Sequence, residues 1–122
     1  MDYSKLTDAE LDDLVATRVM GWHRGPNPNY PPSMDLPVWL DANGEIAHSR
    51  YFFPVECADD MLLVLPKVLA DGYRIIMETP ECLDGLYRVG VRLIDGNIWF
   101  ANASTLPRAL CEAVVAAYEV KK

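Results

Sequence analysis

The sequence predicts an α+β fold, a largely antiparallel sheet packed by helices in the order helix, hairpin, helix, three strands, helix. Two observations carry this. Apolar residues recur at helical spacing near both ends of the chain, and between Gly72 and Ala101 they alternate with polar ones as in half-buried strands. Elements of this kind in this order do not repeat a strand–helix–strand unit, which sets the chain apart from parallel α/β folds.

The first helix is expected over residues 8–20. Thr7-Asp8-Ala9-Glu10 reads as a capping box, flanked by Leu6 and Leu11 as a hydrophobic staple. Leu11, Leu14, Val15, Val19 and Trp22 then form one stripe, and Gly21 supplies a left-handed C-terminal residue. Residues 23–37 hold five of the nine prolines and are expected to form an extended, proline-rich loop, a first candidate for an interaction surface. Val38-Trp39-Leu40 and an extended piece around Ile46 and Tyr51-Phe52-Phe53 make a hairpin about Asn43-Gly44.

From Cys57 to Asp71 the spacing of Met61, Leu62, Leu65, Val68 and Leu69 is helical, with Gly72 as the stop. Pro66 lacks the amide that would bond to the Leu62 carbonyl, so a kink or break is expected there. Strands follow at 73–77, 86–94 and 98–101, the last two joined by a two-residue turn at Asp95-Gly96. The final helix starts near Thr105, tolerates Pro107 in its first turn, and turns Leu106, Leu110, Ala113, Val114 and Ala117 inward.

Several of these segments together resemble a known family. Leu11-Asp12-Asp13-Leu14-Val15-Ala16-Thr17-Arg18-Val19-Met20-Gly21-Trp22 and Thr105-Leu106-Pro107-Arg108-Ala109-Leu110-Cys111 are similar to the two ends of the Phage ABA sandwich domain family, small bacteriophage and prophage proteins. Trp39-Leu40-Asp41 with Gly44, Phe53-Pro54 and Tyr87-x-Val89 fall where that family carries comparable residues. The resemblance implies a phage or prophage origin and an α/β/α sandwich-like architecture, but no defined activity. An uninterrupted central helix is usual in the family, and Pro66 departs from that.

At 122 residues the chain is expected to be a single domain, 1–122, with a core that needs neither disulfide nor metal. It has no signal-peptide pattern and no apolar run near the roughly 18 residues of a membrane span, so a cytoplasmic protein without a membrane partner is expected. Cys57, Cys82 and Cys111 lack metal-site spacing and read as reduced, buried thiols. The net charge of −7 argues against broad nucleic-acid binding, which rests on clustered Lys and Arg. The acidic group Asp2, Asp8, Glu10, Asp12 and Asp13, against Lys5 alone, reads either as a partner surface or as charge opposing the helix dipole.

His23, His48, Asp41, Cys57 and the pair Asp59-Asp60 could supply acid–base or nucleophilic groups, but they form no known motif. A lone histidine is more often a surface or loop residue, and Asp59 and Asp60 suit the start of a helix. No catalytic residue, metal site or cofactor is expected. Two binding sites are. Arg88 and Arg92 lie four apart on one side of a strand, with Arg74 as their neighbour on the next, and their guanidinium forks suit phosphate or carboxylate. Trp22, Tyr30 and Trp39 with His23 and Arg24 suit a planar ligand, or else close the core. The expected function is therefore a non-enzymatic accessory protein that binds a host protein and interferes with host immunity. The alternatives are a binder or sponge that sequesters a small anionic or nucleotide ligand and, last, an uncharacterised enzyme. The half-polar sheet face is compatible with a homo-oligomer as well as a monomer.

Overall fold

The computed structural model describes residues 2–31, 37–49, 51–78, 85–94 and 96–120. It has an α+β fold in which helices pack on a sheet. A 3₁₀ turn, Tyr3–Lys5, leads into α1 (Asp8–Leu14), which continues as a π-helical turn over Val15–Val19. Strands β1 (His23–Pro26), β2 (Pro37–Leu40) and β3 (Ile46–His48) make one antiparallel sheet in that order. Helix α2 (Ala58–Ala70) precedes β4 (Tyr73–Glu78), β5 (Tyr87–Leu93) and β6 (Ile98–Ala103), a second antiparallel sheet in that order, and α3 (Leu106–Val120) closes the described chain.

The capping box forms as the sequence predicts. The Glu10 N–H donates to Thr7 Oγ1 at 3.1 Å and the Thr7 N–H to Glu10 Oε1 at 3.0 Å. The end of the helix differs. The Met20 amide reaches back five residues to the Val15 carbonyl, and the Trp22 amide six residues to Ala16, past Gly21 at φ +74°. That is a glycine-capped end widened by one residue, with the Thr17 hydroxyl drawing on the Asp13 carbonyl beside it. Leu11, Val15 and Val19 of the expected stripe are buried, Leu14 and Trp22 are half-buried against the same core, and Asp12 and Ala16 are buried beside them.

Both predicted hairpins form, but each turn is one residue longer than a two-residue loop. The Gly44 N–H bonds to Asp41 O while the Asp41 N–H bonds to Glu45 O. Gly96, Leu93 and Asn97 repeat the pattern. Gly44 and Gly96 occupy the left-handed position that such loops require, at φ +78° and +101°. Asp95 lies outside the described residues. Asp41 is a turn former rather than a chemical group, its Oδ1 accepting the Asn43 and Glu45 amides.

Three further expectations need correction. The proline-rich stretch 23–37 is not a loop throughout: its first four residues are an edge strand, with Pro26 opposite Pro37 at the end of the ladder, where missing donors cost least. The loop shrinks to 27–36, of which 32–36 lie outside the described residues. Helix α2 is not broken at Pro66: it runs as one helix over Ala58–Ala70, with Pro66 and Leu62 on its exposed face, where the freed Leu62 carbonyl can be hydrated. Tyr51-Phe52-Phe53 adds nothing to β3, which ends at His48.

The core lies between the second sheet and the N-terminal helix. Tyr73, Val89 and Val91 rise from the sheet, and Leu110, Val114 and Ala117 descend from α3. Because α3 is wedged between β5 and β6 on one side and the α1–π segment on the other, its buried surface widens to include Ala109, Cys111, Glu112 and Val115. Cys111 is a free, fully buried thiol, as expected. Cys57 is free but only half-buried, at the N-cap of α2, and Cys82 lies outside the described residues. No helix among the described residues is long and apolar enough to cross a membrane.

Candidate binding face on the second sheet

The helices cover one face of the second sheet and leave the other open. Ladder register arranges the open face in three rows across the strands: Arg74, Arg92, Ile98; Ile76, Gly90, Phe100; and Glu78, Arg88, Asn102. Alternation along β5 puts Arg88 and Arg92 on one side, and the register adds Arg74 to it as the direct cross-strand partner of Arg92. Like charges placed opposite one another destabilise a ladder unless an anion or a partner lies between them.

The centre of the face is apolar. Ile76, Ile98 and Phe100 are 41%, 42% and 44% exposed. Phe100 lies against Gly90, where a Cβ would meet its ring at 2.6 Å, so glycine is what lets the aromatic settle on the sheet. The Arg88 guanidinium stands 4.1 Å above the Phe100 ring centroid, and Arg74 Nη1 donates to the Tyr73 carbonyl at 3.1 Å. Among the described residues, Arg74, Arg88 and Arg92 pair with no carboxylate, whereas Arg18, Arg24 and Arg108 are all paired, with Glu119, Asp13, and Asp8 together with Glu112. In a chain of net charge −7 this sorting concentrates unpaired positive charge on one surface.

The second predicted site does not assemble as a unit. Arg24 pairs with Trp39 across the β1–β2 ladder, its guanidinium 4.4 Å from the ring centroid, and also bonds to Asp13 at 3.2 Å. Trp39 itself is 2% exposed and belongs to the core. Trp22 packs edge-on against Phe52 at 4.9 Å and stacks on His48 at 6.0 Å. Tyr30 stands half exposed and, among the described residues, meets neither tryptophan. The group closes the core rather than opening a pocket.

Of the candidate acid–base groups, His48 and Asp60 are engaged structurally. His23 is exposed on β1. His48 is half-buried at the end of β3: its ring sits among Trp22 and Phe52, with Nδ1 donating to the Ser49 carbonyl at 3.0 Å. Asp60 Oδ2 accepts the Phe53 amide at 2.8 Å, and Asp59 and Asp60 occupy the first turn of α2, as the dipole favours. The acidic run divides as well. Asp13 is exposed, but Asp12 is 4% exposed and accepts the Val55 amide at 2.9 Å, so it is no part of a partner surface.

Sequence inspection missed one feature entirely. A cleft of about 800 Å³ opens beside the start of α3, lined in part by Asp8, Glu56, Asn102, Thr105, Arg108 and Glu112. Arg108 spans its wall, donating to Glu112, Asp8 and the carbonyls of Tyr3 and Leu6. Behind it, burial and the neighbouring Glu56 carboxyl push Asp12 up to about 8. Burial, with the Asp12 and Glu56 charges added, pushes the Cys111 thiol far up, which leaves it unreactive. Among the described residues no cluster of His, Cys, Asp and Glu could hold a metal ion.

Comparison with protein families, curated proteins and solved structures finds no match.

Proposed function

We propose that the protein is a non-enzymatic binding protein that holds an acidic surface of a partner protein against the open face of its second sheet. The observation that supports this is the sorting of arginines: Arg74, Arg88 and Arg92 have no carboxylate partner among the described residues and stand on that face among exposed Ile76, Ile98 and Phe100. An apolar centre set among arginines has the composition of a contact core between proteins rather than of an enclosed ligand cavity. The resemblance of both chain ends to phage proteins makes a host protein the first class of partner, met in the host cytoplasm, with interference in host immunity as the consequence.

A second reading rests on the cross-strand pair Arg74 and Arg92, whose two forks could hold one phosphate of a small nucleotide ligand. One experiment separates the two. Native mass spectrometry and partner capture are run on the wild type, on the Arg88→Glu/Arg92→Glu double variant and on Phe100→Ser. The proposal expects one co-purifying protein to be lost from both variants, with affinity lowered about tenfold or more in each. A retained small anion that Phe100→Ser keeps and the arginine variant loses would favour the nucleotide reading. A partner held equally by all three proteins would sink both.

A further inference from the structure

We propose that the outer edge of β6 is a strand-addition site for an extended, lysine- or arginine-bearing segment of a partner protein. Among the described residues, strand β6 pairs only with β5, through six consecutive residue pairs without a bulge. Its sequence, Ile98-Trp99-Phe100-Ala101-Asn102-Ala103, contains no charge and no proline. Edge strands are ordinarily guarded by charged residues, prolines or bulges, and this one has none of them.

The edge opens onto a cleft rather than onto bulk solvent. The 800 Å³ cleft is lined by Asn102 and Ala103, and a second of about 340 Å³ by Phe100, Ala101 and Asn102; both are lined by Ser4 and Glu112 as well. Lining by consecutive residues, which belong to both faces of the strand, places the clefts at its edge. A strand added there lies about 4.8 Å outside β6 and points alternate side chains to opposite faces. On the α3 side the small Ala101 and Ala103 leave room for long side chains. On the other side the added strand borders the arginine face.

Charge selects the occupant. The lining carboxylates are Asp2, Asp8, Glu56 and Glu112, and the lining cation, Arg108, already donates to Asp8 and Glu112. Long cations at alternate positions complement this wall. A second copy of the chain would bring one acidic wall against another and repel itself. The site borders the arginine face and shares Phe100 and Asn102 with it, but its charge comes from the cleft carboxylates and not from the arginines.

The test uses the full-length, isotope-labelled protein and a capped Lys-Thr-Lys-Thr-Lys-Thr peptide, followed by backbone amide shifts. The expected result is saturable shifts at Ile98–Ala103, Tyr3 and Ser4, retained in the Arg88→Glu/Arg92→Glu variant. Asp2→Asn and Glu56→Gln, both at exposed positions, should each weaken binding about two- to fivefold. A Glu-Thr peptide of equal length should not bind, and N-methylation of alternate residues on the pairing side should abolish binding. Equal binding of the methylated peptide, shifts centred on the arginines, or no shifts at millimolar peptide would each overturn the proposal. So would a concentration-dependent dimer that perturbs the β6 amides, since it assigns the edge to a second copy.

Discussion

Asp12 shows how one buried carboxyl can set a pH dependence. Its Oδ1 accepts the Val55 amide, while no donor faces Oδ2 and the Glu56 carboxyl stands nearby. A proton is the natural remedy, and it accounts for a value near 8 in place of 3.8. The folded state therefore holds this proton over a window in which the unfolded chain has released it. Stability contributed by the protonated form is complete below about 3.8 and declines as pH rises toward 8. Asp12→Asn keeps the acceptor for Val55 and supplies a permanent donor, so it should flatten this decline and stabilise the protein at pH 8 by about 1–3 kcal/mol. Thermal melts of both proteins from pH 5 to 8 check this. Parallel curves would show that Asp12 does not titrate in that window.

Among elements, the N-terminal 3₁₀ turn is held chiefly by a residue a hundred positions away. Arg108, with its side chain 13% exposed, bonds to the carbonyls of Tyr3 and Leu6 and to Asp8, and is itself braced by Glu112 one helical turn on. Removing the guanidinium leaves Glu112, 6% exposed, without its cation. Arg108→Leu should cost about 3–5 kcal/mol in urea denaturation, with faster amide exchange at residues 3–6, and Arg108→Lys should fall between it and the wild type. A loss below about 1 kcal/mol in Arg108→Leu would mean that the clamp is dispensable. Nothing local in the sequence marks Arg108 as a clamp, because Tyr3, Leu6 and Asp8 lie about a hundred positions away. Alternation made the shared side of Arg88 and Arg92 legible, since side chains two apart on a strand must share a side. It did not reveal Phe100 over Gly90, which depends on the register across the β5–β6 hairpin.

For the molecule as a whole, α3 couples the parts. It touches β5, β6, α2, α1 and the π turn, and one hydrophobic cluster continues from Val89 and Val91 through Leu110 to Trp39 and Phe52. Unfolding should therefore be a single transition. Leu110, fully buried, should cost about 2–5 kcal/mol when replaced by alanine and lower the whole transition together. Coincident midpoints by tryptophan fluorescence and far-ultraviolet circular dichroism check this, and separated midpoints would show that the two sheets unfold independently.

The sequence by itself determined the order of the helices and of the two hairpins, the capping box and the shared side of Arg88 and Arg92, because each follows from local backbone chemistry or short-period side-chain geometry. Tertiary structure alone decided the rest. It converted Asp12 from an acidic surface residue into a buried carboxyl, let α2 pass through Pro66 on a hydrated face, and recruited His23–Pro26 into an edge strand. It also set an open cleft along β6. Each of these depends on which segment packs against which, and therefore on contacts between residues far apart in the chain that no local pattern encodes.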